Sequence, residues 1–208
     1  DLLLVDATSL DVLYNVTKGP VFASNLQNGA FADTELARLA KNLKQKPKAG
    51  LQFSAISAFS GYFQQQVLFF GIPVFHPNSA DSPVGFLIAQ YPVRRFTDLM
   101  TGDQKWHDLG LGQSGDIYLV DQQHILVTEL RPYLSDQARF KQEYPEFKAG
   151  PYGLGGYAKL QLDQVNQALA GKSGVAEATD YRGIDSLISW HPLQIGQQHY
   201  ALIVQQEI

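Results

Sequence analysis

Two periods of apolar residues alternate along the chain, and the changes between them mark out elements. Asp1-Leu-Leu-Leu-Val-Asp6 and Val12-Leu-Tyr-Asn-Val16 are short apolar runs separated by Ala7-Thr8-Ser9, the signal of a β-hairpin. Leu36, Leu39, Ala40 and Leu43 then recur at helical spacing, with Asp33 as the expected N-cap. Lys44, Lys46 and Lys48 around Pro47 should close that helix, because cations suit its negative end and proline cannot continue it. Strands are predicted over 51–57, 66–75 and 84–91.

The second half repeats this order. Ile117 to Asp121 and Ile125 to Glu129 bracket Gln122-Gln-His124, and after a loop rich in Pro and Gly the residues Leu160, Leu162, Val165 and Leu169 predict a helix ending at Gly171. Three strands are expected over 174–179, 184–192 and 199–207. Asp1-Leu-Leu-Leu-Val-Asp6 resembles Asp116-Ile-Tyr-Leu-Val-Asp121, and Gly85-Phe-Leu-Ile-Ala-Gln-Tyr91 resembles Tyr200-Ala-Leu-Ile-Val-Gln-Gln206, both at an offset of 115. Each half therefore reads as hairpin, helix and three-stranded meander. Short connections between paired strands favour antiparallel sheets, so the fold class is α+β rather than a doubly wound parallel sheet. Phe96-Thr-Asp-Leu-Met100 predicts a short helix between the halves, and the boundary is expected near residue 105, giving modules 1–105 and 106–208.

Composition narrows the function classes. The chain has 208 residues, 45% hydrophobic and 12% aromatic, enough to fill one large core or two smaller ones. A formal net charge of −4 argues against a nucleic-acid footprint. With Cys 0 there is no disulfide, thiolate zinc site or thiol nucleophile. No apolar run approaches the ~20 residues of a membrane span, and no signal-peptide pattern opens the chain. Strand-like segments at both ends predict a soluble piece excised from a larger protein.

The motifs that could carry chemistry fail on context. Gly110-Leu-Gly-Gln-Ser-Gly115 fits G-x-G-x-x-G as a string, but a strand follows it where pyrophosphate binding needs a helix N-terminus, so a glycine-rich turn is expected. Gly171-Lys-Ser173 mimics the end of a P-loop, yet the earlier glycine would have to stand at Asn166. His76, His107, His124, His191 and His199 form no metal-ligand spacing, although His191 and His199 could face each other across a hairpin. No serine sits in a nucleophile elbow. No catalytic residue, metal or cofactor is therefore assigned. Asn15-Val16-Thr17 matches a glycosylation acceptor, but it falls in a predicted strand and is given no weight.

The stretch from Phe53 to Phe75 is the richest in aromatics, with Gln64-Gln65-Gln66 in its middle. Most of its rings should be core. A small module with one helix on its sheet usually covers the open face with a loop, and an apolar pocket with a few polar groups is the ordinary form of a small-molecule site. Residues 54–66 are the candidate lid. Phe53, Tyr62, Gln64, Gln66 and Phe69 are the candidate ligand-binding residues, with Tyr62, Gln64 and Gln66 at even spacing so that they share one strand face.

Several of these segments resemble one family, the double Cache (tandem PAS-like) extracytoplasmic sensor domains of bacterial membrane receptors. Asp1 to Lys18 and Phe22-Ala-Ser-Asn-Leu26 are similar to the opening of the membrane-distal module. Gly110 to Asp121 looks like the entry to the membrane-proximal module, and Asp180-Tyr-Arg-Gly183 with 184–192 resembles its later meander. The resemblance implies a periplasmic position in an inner-membrane protein, a small-molecule ligand in the distal module, and a cytoplasmic kinase, chemotaxis or cyclic-nucleotide output. It implies no catalysis in the sensor itself, and it leaves a homodimer open. It also implies a long N-terminal helix ahead of the first module, whereas the given sequence opens on a predicted strand. Family members that bind amino acids carry a Tyr, Arg, Trp-Tyr and Asp motif, whereas residues 59–91 contain no Arg and no Trp. A carboxylate usually calls for a guanidinium clamp, which argues against an amino-acid ligand held in that mode. The alternative reading is a structural, dimerisation or protein-interaction module without a ligand.

Overall fold

The computed structural model describes residues 1–208, with the side chains of all but residues 79–81. The chain divides into two compact units, 1–92 and 93–208. The first holds β1 (Leu2–Asp6), β2 (Val12–Asn15), α1 (Glu35–Gln45), β3 (Gln52–Phe53), β4 (Ser57–Phe59), β5 (Gln65–His76) and β6 (Ser79–Pro92). The second holds α2 (Arg94–Thr101), β7 (Asp116–Asp121), α3 (Arg131–Ser135), α4 (Gln137–Glu143), α5 (Asp163–Leu169), β8 (Gly174–Thr179), β9 (Asp185–Ile195) and β10 (Gln198–Glu207).

Both sheets are antiparallel, in the orders β2-β1-β6-β5-β3 (with β4 also on β5) and β7-β10-β9-β8. The class is α+β. In each unit the first strand pairs with the last, and the repeat seen in the sequence reappears as register. Asp6 stands opposite Gly85 and Leu2 opposite Ala89, while Asp121 stands opposite Tyr200 and Ile117 opposite Val204. Each second pair lies 115 positions after the first.

The first core explains α1. Leu36, Ala37, Leu39, Ala40 and Leu43 are all buried and pack with Leu3, Val5, Phe69, Phe86 and Ile88 of the sheet. The helix is capped by Thr34 rather than the expected Asp33; the Thr34 hydroxyl accepts from the Ala37 N–H at 3.4 Å. Lys44 closes the last turn, and Pro47 opens a short 3-10 turn beyond it.

The second unit departs from the expected copy of the first. Ile125 to Glu129 forms no strand; the single bridge Val120–Leu126 holds it beside β7, and the bridge Ile125–Lys159 ties it to the loop before α5. The loop rich in Pro and Gly contains α3 and α4, whose Tyr133 and Phe140 pack edge to face in the second core. Its glycines also serve Glu129, whose carboxylate accepts from the N–H groups of Leu154 at 2.9 Å and Gly155 at 3.0 Å. Gly153 has φ +141, and a Cβ there would collide with that carboxylate. The division between units falls at 92/93 instead of near 105 because α2 packs on β7, and the Thr97 hydroxyl accepts from the Glu129 N–H at 3.2 Å.

Candidate functional site

At one end of the first sheet the start of β1, the end of β2, the end of β6 and the turn before β5 enclose a cavity of about 160 Å³. Its polar wall comes from Asp1, Asn15, Thr17, Tyr62 and Gln90, and Val21 and Pro92 give it an apolar side. The Asp1 carboxylate is fully occupied, accepting from the N–H groups of Leu2 (2.9 Å) and Thr17 (3.2 Å), the Thr17 hydroxyl (2.8 Å) and the Asn15 amide (2.8 Å). Asn15 has no exposed surface, and its Oδ1 finds no hydrogen-bond donor. Its amide cannot turn over to find one, because the NH₂ group must face the Asp1 carboxylate.

The structure brings one of the five sequence-predicted residues to this cavity, Tyr62. Phe69 is buried in the core, edge-on to Phe59 at 5.0 Å. Phe53 stands opposite Phe70, with ring centroids 5.9 Å apart, so it lies on the outer face of the sheet with Gln66, which alternation places on the Phe70 side. Gln64 is exposed. The even spacing of Tyr62, Gln64 and Gln66 fails because Phe63 and Gln64 both have positive φ (53 and 63), reversing the chain before β5 begins at Gln65. Within the expected lid, residues 57–59 are the strand β4, paired with β5. Asn15 and Thr17 were missed. The signal was present: a polar residue at an inward position of an apolar hairpin strand, masked by its reading as a glycosylation triplet.

The second unit has a polar cluster at the corresponding place, closed by its own side chains. Asp116, 115 positions after Asp1, accepts from Tyr181 Oη at 2.7 Å and from the N–H groups of Ile117 (2.9 Å) and Arg131 (3.1 Å). Burial pushes its carboxyl up to about 6 and raises the phenols of Tyr118 and Tyr181 well above their usual range. Gln205 accepts from Tyr118 Oη at 2.9 Å and donates to Asp180 at 2.8 Å. Asp180 also accepts from Arg182 Nε (2.9 Å) and Nη2 (2.6 Å), and Arg182 Nη1 reaches Glu207 at 2.8 Å. Burial works against the Arg182 charge, but its bonds to Asp180 outweigh that and hold the guanidinium above its usual range.

Gly110 to Gly115 is a turn leading into β7. Its carbonyls, not its N–H groups, are gathered: Arg131 donates to Gly115 O at 2.7 Å and Gly112 O at 3.0 Å, and its guanidinium lies over the Trp106 ring at 4.7 Å. A phosphate needs the opposite polarity. Titration with ATP or NAD should give no saturable heat; affinity that disappears in Gly112→Ala would overturn this. Arg131 and Arg182 border a wide depression of about 570 Å³, but Gly112, Gly115, Asp180 and Glu207 take up their donors.

Among the described residues no group of three His, Asp or Glu side chains could hold a metal ion. His191 stands opposite Leu202 and bonds Ser173, while His199 stands opposite Gln194, so the two histidines are not a pair. Among the described residues no helix is long and apolar enough to cross a membrane.

No family model and no curated protein matches the chain. Solved structures do. An extracellular ligand-binding receptor from Desulfohalobium retbaense superposes with a TM-score of 0.53 at 10% identity, over 99% of this chain and 29% of that one. A domain of a sensory box/GGDEF family protein from Vibrio parahaemolyticus gives 0.52 at 10% identity, over 99% and 71%. The ligand-binding domain of the Pseudomonas aeruginosa amino-acid chemoreceptor PctB, in complex with L-Arg, gives 0.51 at 11% identity, over 99% and 70%. The chain thus spans less than a third of the first of these and about 70% of the other two. Its fold, two α+β units each built on an antiparallel sheet, is similar to that of these sensory and ligand-binding domains.

Proposed function

We propose that this chain is the extracytoplasmic sensing portion of a bacterial membrane receptor, with unit 1–92 as the membrane-distal module and its cavity as the ligand site. The observation that carries the reading is the 160 Å³ cavity, enclosed by the first unit and bordered by Tyr62, in a fold shared with ligand-binding sensory domains. A ligand held there acts through its differential affinity for two arrangements of the receptor, since equal affinity would shift nothing. The output is a kinase, chemotaxis or cyclic-nucleotide module beyond this chain, and the sensor performs no chemistry of its own.

A thermal-shift screen of small metabolites against the full chain should find a saturable ligand. Tyr62→Ala should weaken it about five- to a hundred-fold, the effect of removing one partner from a buried site, while the empty protein melts nearly as before. Absence of any saturable ligand would favour the alternative, an interaction or dimerisation module. One feature speaks for that second reading. The outer face of the first sheet carries the cross-strand rows Tyr14–Leu4–Leu87–Ile72 and Leu2–Ala89–Phe70–Phe53, of which Tyr14, Ile72 and Leu2 are exposed.

A further inference from the structure

We propose that Asn28 is a site of spontaneous modification, in which the Gly29 amide nitrogen attacks the Asn28 side chain whenever the turn 25–29 opens. The reaction needs neither enzyme nor cofactor. A bond forms between the Gly29 nitrogen and Asn28 Cγ, the Cγ–Nδ2 bond breaks, and ammonia leaves with the proton of the Gly29 N–H. Water then opens the cyclic imide at either carbonyl. One product is aspartate at 28; the other is an isoaspartate whose backbone runs through the former side chain. The proposal goes beyond the sensing role and does not depend on it.

Sequence and fold both single out this asparagine. The six asparagines are followed by Val16, Leu26, Gly29, Leu43, Ser79 and Gln167, and only glycine has no side chain to hinder its own attacking nitrogen. Asn28 is exposed, so water reaches its carboxamide and the imide that follows. The glycine is also required by the turn. A Cβ at 29 would stand 2.4 Å from Asn25 O, closer than a carbon and an oxygen can approach. The fold therefore keeps beside Asn28 the neighbour that leaves it most reactive.

The closed turn restrains the same reaction. The Gly29 N–H donates to Asn25 O at 2.9 Å, and Asn25 Oδ1 accepts from the N–H groups of Gln27 and Asn28, both at 2.9 Å. While the first bond is made, the Gly29 N–H points at Asn25 O and keeps the proton that attack requires it to lose. Asn25 is itself anchored, its Nδ2 donating to Ser9 O at 2.9 Å and to Asp11 Oδ1 at 2.7 Å. Reaction thus follows local opening of a few exposed hydrogen bonds, which is easier than unfolding the unit. The isoaspartate product lengthens the backbone between Asn25 and Gly29, so a modified chain cannot close the turn again in the same way.

The test is peptide mapping of the full chain by mass spectrometry during incubation in mildly alkaline buffer, with and without urea. The amide-to-acid mass change should appear at Asn28 before any other asparagine, accompanied by isoaspartate, and Asn28→Gln should remove it. The folded chain should react about tenfold more slowly than the chain in urea, a factor of the size that one or two net hydrogen bonds carry. Asn25→Ala deletes the acceptor of two of these bonds and the anchor to Ser9 and Asp11, so it should speed the folded reaction about three- to tenfold. Calorimetry establishes whether that variant is folded at the incubation temperature; if it is not, the wild-type comparison decides alone. First modification at another asparagine, a folded rate equal to the rate in urea, or a folded Asn25→Ala that reacts no faster than wild type would each overturn the proposal.

Discussion

Asp180→Ala should lower the melting temperature of the second unit by about 6–20 °C. Asp180 is 4% exposed and holds the turn between β8 and β9 with one oxygen, which accepts from the N–H groups of Arg182 and Ile184. Its other oxygen accepts from Gln205 and twice from the Arg182 guanidinium. Removing it leaves the Arg182 charge, 10% exposed, with only Glu207, and strands the Gln205 amide inside the sheet. Breaking a buried ion pair from one side costs about 3–5 kcal/mol, and for a chain of this size each kcal/mol moves the melting temperature by about 2–4 °C. Asp180→Asn keeps an acceptor for the turn and should fall between wild type and alanine. A shift below about 2 °C in calorimetry for the alanine variant would show that the cluster adds nothing to stability.

Acidification should stabilise wild-type protein relative to Asp116→Asn. Burial raises the Asp116 carboxyl from an ordinary value of 3.8 to about 6, and in the unfolded chain it returns to the ordinary value. The folded state therefore binds the proton more tightly. The contribution is fully present below about pH 4 and is lost as pH rises through 6. A rise of that size corresponds to roughly 3 kcal/mol. Asp6 and Asp11 are lowered by their hydrogen bonds to Ser9 and act in the opposite direction, so the raw pH profile mixes signs. The difference between wild type and Asp116→Asn removes them: it should grow in favour of wild type from pH 7 to pH 4. A difference that stays constant over that range would mean that Asp116 does not titrate there.

The candidate site was only partly legible in the sequence, for reasons that particular residues show. Tyr62, an aromatic with a hydroxyl in a stretch with more rings than a core needs, carries a local signal, and the structure places it at the cavity. Gln64 and Gln66 were misplaced because strand alternation was carried through a segment where Phe63 and Gln64 turn left-handed, and nothing in those residue types demands positive φ. Asn15 lies far from Tyr62 and Gln90 in sequence, and their meeting depends on β1 pairing with both β2 and β6.

The sequence by itself determined the duplication, the α+β class and the antiparallel sheets. A repeated apolar run at one offset constrains register, since a slip of one residue would turn every core side chain of β1 or β7 to the outer face. It likewise determined the helical face of α1, because Leu36, Leu39 and Leu43 have one side on which to be buried. Only the tertiary structure decided what the repeat became in each unit. Asp1 and Asp116 hold the same register position, yet one borders a cavity and the other is sealed by Tyr181 from a distant turn. Whether a polar position ends as a closed hydrogen-bond cluster or an open site depends on which far-off side chain arrives to pair with it, and local pattern carries no record of that arrival.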